Sequence, residues 1–264
     1  MPKAIENRST SGDDGIFDFV ESQIKEGGTL YSAKRFCDPK SSGLAGLLIK
    51  ARGESNAHPT SPGDFSLDVA KENFGETAFQ RALYAHGPQV VLDASAGEEA
   101  LQWVDIELPI TFSGKGRRRC VDLIGHTNWM GNFLCELKYA PTGNPPSANQ
   151  VDYAIFEALI YFGIVQCHRR LLDEQKVSRP ESGFTWKSVA ESKRVMVLAN
   201  SCFWEKALKQ TDRIRALCCK IKDQCKVDVL LCSVDAVLKH APGSRDRVTP
   251  VLEAPTPLVI RPAL

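Results

Sequence analysis

An α/β protein built on a mixed β-sheet is what this chain predicts, and three observations predict it. From residue 66 onward the apolar patterns fall in the order helix, three strands, helix, strand, helix, strand. The three central strands are separated by short hairpin-type connections, whereas each later strand follows a long helical pattern. With 264 residues, 43% hydrophobic and 25% charged, the chain has the apolar material for a buried core.

The elements follow in order. Residues 1–65 are rich in Ser, Gly, Pro and charge, with modest helical patterns over Ile16–Lys25 and Leu44–Ala51, and read as an arm or accessory lobe. Val69, Phe74, Ala78, Phe79, Leu83 and Tyr84 recur at helical spacing over Ser66–His86, and Gly87-Pro88 stops the pattern. The first strand is either Val90–Asp93 or, better, Leu101–Phe112; Cys120–Gly125 and Phe133–Tyr139 follow. Ser113–Gly116 and Asn128–Asn132 separate them as turns. A long helix is expected over Asn149–Leu172, a strand over Arg194–Ala199, a helix over Phe203–Cys225 and a strand over Val227–Val234. The segment 241–264 holds five of the fifteen prolines and is expected to lie extended on the surface.

Charge and cysteine usage exclude several classes. Lys and Arg number 33 against 32 Asp and Glu, so a polyanion would need a local basic patch. Met1–Thr10 lacks the apolar run of a secretory signal, and the longest near-apolar stretch, Ala154–Val165, is interrupted by Glu157. Neither secretion nor a membrane partner is expected. The nine cysteines, an odd number, sit mostly in apolar strings (Cys120, Cys135, Cys202, Cys232) and predict reduced thiols in an intracellular compartment, cytoplasm or nucleus/nucleoid. No CxxC pair is present, and Cys218-Cys219 has no neighbouring histidine to complete a zinc set.

The chemistry concentrates in two strands, Arg117–Gly125 and Asn132–Ala140, where charges interrupt apolar runs. Alternation puts Glu136 and Lys138 on one face and Phe133, Cys135, Leu137 and Tyr139 on the other. A hairpin centred on Trp129 sets Asp122 opposite Glu136, with Cβ atoms about 4.5–5.5 Å apart. Two carboxylates that close repel unless a cation lies between them, and carboxylate oxygens suit Mg²⁺ or Mn²⁺. Lys138 would lie beside the metal, where an ammonium can orient and deprotonate water or offset charge on a phosphate. An acid two residues before a lysine also occurs at Asp38/Lys40, Glu174/Lys176 and Glu191/Lys193, but only Glu136/Lys138 sits in an apolar strand facing a second acid. The plainer alternative is a surface hairpin with an ordinary ion pair.

These residues resemble the PD-(D/E)xK nucleases, the restriction-endonuclease-like superfamily. The matching pieces are Gly75-Glu76 at the start of the first helix, Val121-Asp122-Leu-Ile, and Phe133-Leu-Cys-Glu136-Leu-Lys138, over Ser66–Asp235. The run Phe74-Gly-Glu-Thr-Ala-Phe-Gln-Arg-Ala-Leu is similar to the first helix of members related to Holliday-junction resolvases.

The resemblance implies a restriction-endonuclease-like core, a central mixed sheet flanked by helices in the order α-β-β-β-α-β, as a nuclease-like domain over 66–240 followed by the 241–264 tail. It implies Asp122, Glu136, the Leu137 carbonyl and Glu76 as ligands of Mg²⁺, with Mn²⁺ able to substitute, and Lys138 as the water-activating or charge-stabilising group. Glu72, one turn before Glu76, is the competing helix acid. Val121 stands where the family nominally has proline. Gln150 and Tyr153 are similar to the Gln and Tyr that RecB-like and Cas4-like members place beside the metal, at a spacing of three rather than four, so Gln150 is counted in the site.

The implied activity is Mg²⁺-dependent hydrolysis of phosphodiester bonds, of DNA in preference to RNA, with homodimerisation open. Lys115, Arg117, Arg118 and Arg119 stand where they would grip a nucleic-acid backbone, or where they would simply solubilise a turn. Trp129 would stack on a base or pack against its own loop, and His126 reads as structural. The alternative function is a non-catalytic nucleic-acid-binding or scaffold module.

Overall fold

The computed structural model describes residues 67–71, 74–86, 90–94, 97–110, 119–146, 149–174, 185–241 and 246–264. The helical patterns over Ile16–Lys25 and Leu44–Ala51, Glu72, the Ser113–Gly116 turn, Gly87-Pro88, Lys115, Arg117 and Arg118 lie outside the described residues.

Strand β1 (Val69–Ala70) precedes helix α1 (Glu76–Ala85), then β2 (Val90–Ala94), β3 (Gly97–Ile110), β4 (Arg119–Thr127) and β5 (Gly131–Lys138). Helices α2 (Asn149–Glu174) and α3 (Trp186–Ser192) lead to β6 (Arg194–Asn200). A short helix α4 (Ser201–Trp204), a 3₁₀ turn (Ala207–Gln210) and α5 (Thr211–Cys225) lead to β7 (Asp228–Val234). Strands β8 (Val237–Ala241), β9 (Arg247–Glu253) and β10 (Leu258–Pro262) end the chain.

The architecture corrects the expected restriction-endonuclease-like sheet flanked by helices. Seven strands close into a mixed barrel in the order β10-β2-β3-β4-β5-β6-β7, and β1, β9 and β8 form a separate three-stranded sheet. Closure comes from β10, which runs parallel to β2 through Ile260↔Leu92 and antiparallel to β7 through Ile260↔Val234. Leu258 and Ile260 are fully buried, so this part of the proline-rich segment is core rather than a surface drape. Its prolines do not prevent this: Pro262 is the last residue of β10, and Pro255 and Pro257 precede it. Val90–Ala94 and Gly97–Ile110 are both strands, paired antiparallel, rather than alternatives.

Other segments fold as their patterns require. The Asn128–Met130 turn hands over to Gly131 at φ +68°, a left-handed conformation that glycine adopts without strain. Thr185 and Ser188 form a reciprocal capping box at the start of α3, an element that periodicity did not reveal. The helix expected over Phe203–Cys225 is broken into α4, the 3₁₀ turn and α5.

Two apolar cores result. One receives side chains from all seven barrel strands, including Leu92, Leu101, Leu123, Phe133, Met196, Val234 and Ile260, so it fills the interior, and Phe79 and Leu83 of α1 join it. The other lies outside the barrel, where α2, α3 and α5 cover Ile124, Leu134, Val195 and Val197. A bulge between Trp103 and Asp105 shifts the alternation of β3, so that Leu101 and Trp103 before it and Ile106 after it all join the interior core while Val104 faces the outer one. No helix among the described residues is long and apolar enough to cross a membrane.

Candidate functional site

β5 runs parallel to β6, and β6 to β7, so the C-terminal end of β5 shares a barrel end with the start of antiparallel β4. At this end α1, β4, β5 and α2 meet. The β4–β5 register is the one a hairpin centred on Trp129 requires, from Thr127↔Gly131 to Leu123↔Cys135. The ladder stops one pair short of Asp122 and Glu136. There Asp122 Oδ2 instead accepts a hydrogen bond from the Leu137 amide at 2.7 Å, and the Asp122 carbonyl accepts one from Gln80 Nε2 at 2.6 Å.

Lys138 is the hub of the site. Its ammonium lies 2.5 Å from Glu136 Oε1, 3.1 Å from Glu157 Oε2 of α2 and 3.5 Å from Glu76 Oε1 of α1. The Lys138 side chain is 14% exposed and that of Glu136 only 3%, whereas Glu76, at 45%, opens the cluster to solvent. Tyr161, one turn after Glu157, donates its hydroxyl to Glu157 Oε1 at 3.4 Å. Glu136 Oε2 is buried without a hydrogen-bond partner. Asn200 at the end of β6 secures the chain leaving β5: its amide donates to the Ala140 carbonyl at 2.7 Å and its oxygen accepts from the Ala140 amide at 2.9 Å.

The electrostatics follow from burying several acids around one base. Burial pushes the Asp122 carboxyl up to about 7; Lys138 opposes the rise, and the Glu76 and Glu157 charges add to it. Burial raises Glu136 well above the carboxylate range, with Asp122 and Glu157 adding. For Lys138, burial disfavours the charge, but Glu136, Glu157, Glu76 and Asp122 outweigh it and hold the ammonium protonated. Burial and the same acids push the Tyr161 phenol up, so it stays a neutral donor.

Glu76, Glu136 and Lys138 therefore meet, and Asp122 lies near enough for its charge to act on Glu136 and Lys138. Leu137 lies between the two charged residues of β5, its side chain in the interior core. Gln150 is exposed in the first turn of α2 and is not among Lys138's partners; the α2 residues at the cluster are Glu157 and Tyr161, about two to three turns further along. Tyr153 packs against the outer core. Arg119 opens β4. Trp129, 53% exposed, sits at the far end of the hairpin under the Arg194 guanidinium. Seven residues of strand, roughly 23 Å, separate it from Glu136. His126 Nδ1 donates to Asn132 Oδ1 at 2.9 Å near that turn. Cys218 and Cys225 pack partly buried against the outer core.

Two residues at the site escaped the sequence reading. Glu157 appears there only as an interruption of an apolar run, yet a lone acid inside such a run, four residues before Tyr161, is the signal that marks it. Gln80, four residues after Glu76 and on the same helical face, carries the corresponding signal in α1.

Among the described residues no three His, Cys, Asp or Glu side chains are already grouped as a metal site. The side chains nevertheless fit a hard divalent cation: their oxygens are carboxylates, the charges of four acids act on one ammonium, and one buried Glu136 oxygen is unsatisfied. Comparison of the chain with protein-family models, curated proteins and solved structures gave no match.

Proposed function

We propose that this chain is a divalent-metal-dependent phosphodiester hydrolase acting on nucleic acid, DNA in preference to RNA. The observation that carries the reading is the charge imbalance at the barrel end, where Glu76, Glu136 and Glu157 pair with the ammonium of Lys138, Asp122 adds its charge as a fourth acid, and Glu136 Oε2 has no hydrogen-bond partner. Buried acids in such excess either retain protons or share a cation. The barrel is not the restriction-endonuclease sheet, so the reading rests on the resemblance of these residues to the PD-(D/E)xK set and not on the fold.

Asp122, Glu136 and the Leu137 carbonyl would hold Mg²⁺ or Mn²⁺, with Glu76 completing the set from α1. When bound, the ion lowers the pKa of a coordinated water and offsets charge on the phosphate. Lys138, held protonated by its neighbours, acts better as a charge stabiliser toward phosphate than as a proton acceptor. Glu157, itself supported by Tyr161, fixes the lysine's position. The part-exposed Glu76 leaves the side by which a phosphodiester approaches. The thiols of Cys135, Cys202 and Cys232 are buried in the apolar cores as small hydrophobes, which supports an intracellular, reducing setting.

The test is incubation of plasmid, linear duplex and single-stranded DNA with the protein in Mg²⁺ or EDTA, alongside Lys138→Ala and Glu136→Gln. Cleavage that needs Mg²⁺ and falls by roughly 100-fold or more in both variants is expected. Absence of cleavage by the wild type in Mg²⁺ and Mn²⁺ contradicts the hydrolase, and metal-independent DNA binding in its place would favour a non-catalytic binding module.

A further inference from the structure

We infer that Gln80 is the positioning residue of this site, fixing helix α1, and with it Glu76, against Asp122; the inference rests on the hydrolase reading above. Three observations carry it. Gln80 is only 5% exposed, and Ala78, Phe79, Ala82 and Leu83 around it on α1 are buried apolar residues, so an amide stands where an apolar side chain would pack without needing a partner. Its Nε2 donates to the Asp122 carbonyl at 2.6 Å, across 42 residues of chain. That contact falls where the β4–β5 ladder ends at Leu123↔Cys135, so the main chain at Asp122 is held from the α1 side beyond the last paired residues.

The geometry links the proposed ligands in series. Glu76 and Gln80 lie one turn apart on α1; Gln80 holds the Asp122 main chain; the Asp122 side chain accepts from the Leu137 amide at 2.7 Å. Gln80 touches neither the reacting atoms nor the metal in this scheme. It sets the separation between the acid from the helix and the acids from the strands. Without the bond, α1 and the start of β4 lose their shared reference, and the ligands no longer present a fixed spacing to an ion.

The experiment measures Mn²⁺ binding by the full chain, from the electron paramagnetic resonance signal of free Mn²⁺, for wild type, Gln80→Met and Asp122→Asn. Methionine keeps the length of the side chain and removes the donor. The wild type should bind, Asp122→Asn should not, and Gln80→Met should bind about 10-fold more weakly at a temperature where circular dichroism shows it folded. A second measurement uses no variant: in the ¹⁵N-glutamine-labelled wild type, the Gln80 side-chain amide resonances should shift on addition of Mg²⁺, a response that a purely structural amide remote from the ion would not give. If Gln80→Met does not fold, this shift decides the matter. Wild-type binding with an equal Mn²⁺ affinity in Gln80→Met, or unmoved Gln80 resonances, overturns the positioning role and leaves the hydrolase reading standing. No Mn²⁺ binding by the wild type removes both.

Discussion

The Asp122 carboxylate accepts a hydrogen bond from the Leu137 amide at 2.7 Å, joining two strands at the point where their main-chain ladder has ended. One of its oxygens is thus committed to holding the strands together. Asp122→Asn keeps an oxygen able to accept this bond and should fold near wild type, whereas Asp122→Ala leaves the Leu137 amide without it and should lose about 1–3 kcal/mol in chemical denaturation. Equal losses in the two variants would show that the bond has no structural weight.

Lys138 holds two buried acids in place, Glu136 and Glu157. Lys138→Met should destabilise the metal-free protein by about 3–5 kcal/mol at neutral pH, because the buried acids lose the ammonium that offsets them. Adding Glu136→Gln to that variant should recover part of the loss. Strictly additive effects in the double-mutant cycle would contradict the pairing.

The acid cluster also sets a pH dependence. Asp122 titrates near 7 in the folded chain and near 3.8 as a free side chain, so between those values the folded state binds more protons than the unfolded one. The contribution of Asp122 to the stability of the metal-free protein should therefore fall as pH rises from about 4 to about 7, and the raised Glu136 acts in the same direction. Thermal melts of wild type and Asp122→Asn across pH 4.5–8 check this: the variant should show the shallower decline.

Gly125 faces Phe133 across the β4–β5 ladder, and the buried aromatic ring lies over it. A Cβ at 125 would come 2.7 Å from Phe133 Cε2, closer than packed carbons approach. Gly125→Ala should cost about 1–3 kcal/mol through displacement of the ring. Phe133→Leu in the same background should cost less than it does alone, as double-mutant denaturation can show.

Arg213 bonds both oxygens of buried Asp152, at 2.6 and 3.0 Å, tying α5 to the first turns of α2. Arg213, itself 41% exposed, shields that carboxylate, so Arg213→Ala should cost about 1–3 kcal/mol, while Arg213→Ala with Asp152→Ala should cost less than the single change. A single-variant loss below 1 kcal/mol would refute the claim that this pair anchors the helix.

What was legible in the chain was local. The alternation Phe133, Cys135, Leu137 against Glu136 and Lys138, with a turn at Asn128–Asn132, specifies the register of β4 and β5, because a slip of one residue would turn the charges into the apolar barrel interior, where they have no partners of opposite sign. The same alternation and turn pick out Asp122, Glu136 and Lys138, whereas Glu76 followed only from the family resemblance. The barrel could not. Its closing strand pairs Leu258–Ile260 with Val90–Leu92, and neither so remote a pairing nor a short strand set among prolines leaves a periodic signal. Glu157 and Gln80 were missed because a polar residue in an apolar helix shows its purpose only once the partner brought to it by the fold is known.

The central claim is that carboxylates from α1, β4 and β5 form one divalent-cation site. Crystals of the full chain soaked in Mn²⁺, with anomalous differences recorded at the manganese edge, test it most directly. The account predicts a peak within coordination distance of Asp122 and Glu136 that is absent in Asp122→Asn. A peak elsewhere, or none at millimolar Mn²⁺ with Lys138 still seated between Glu136 and Glu157, would contradict it.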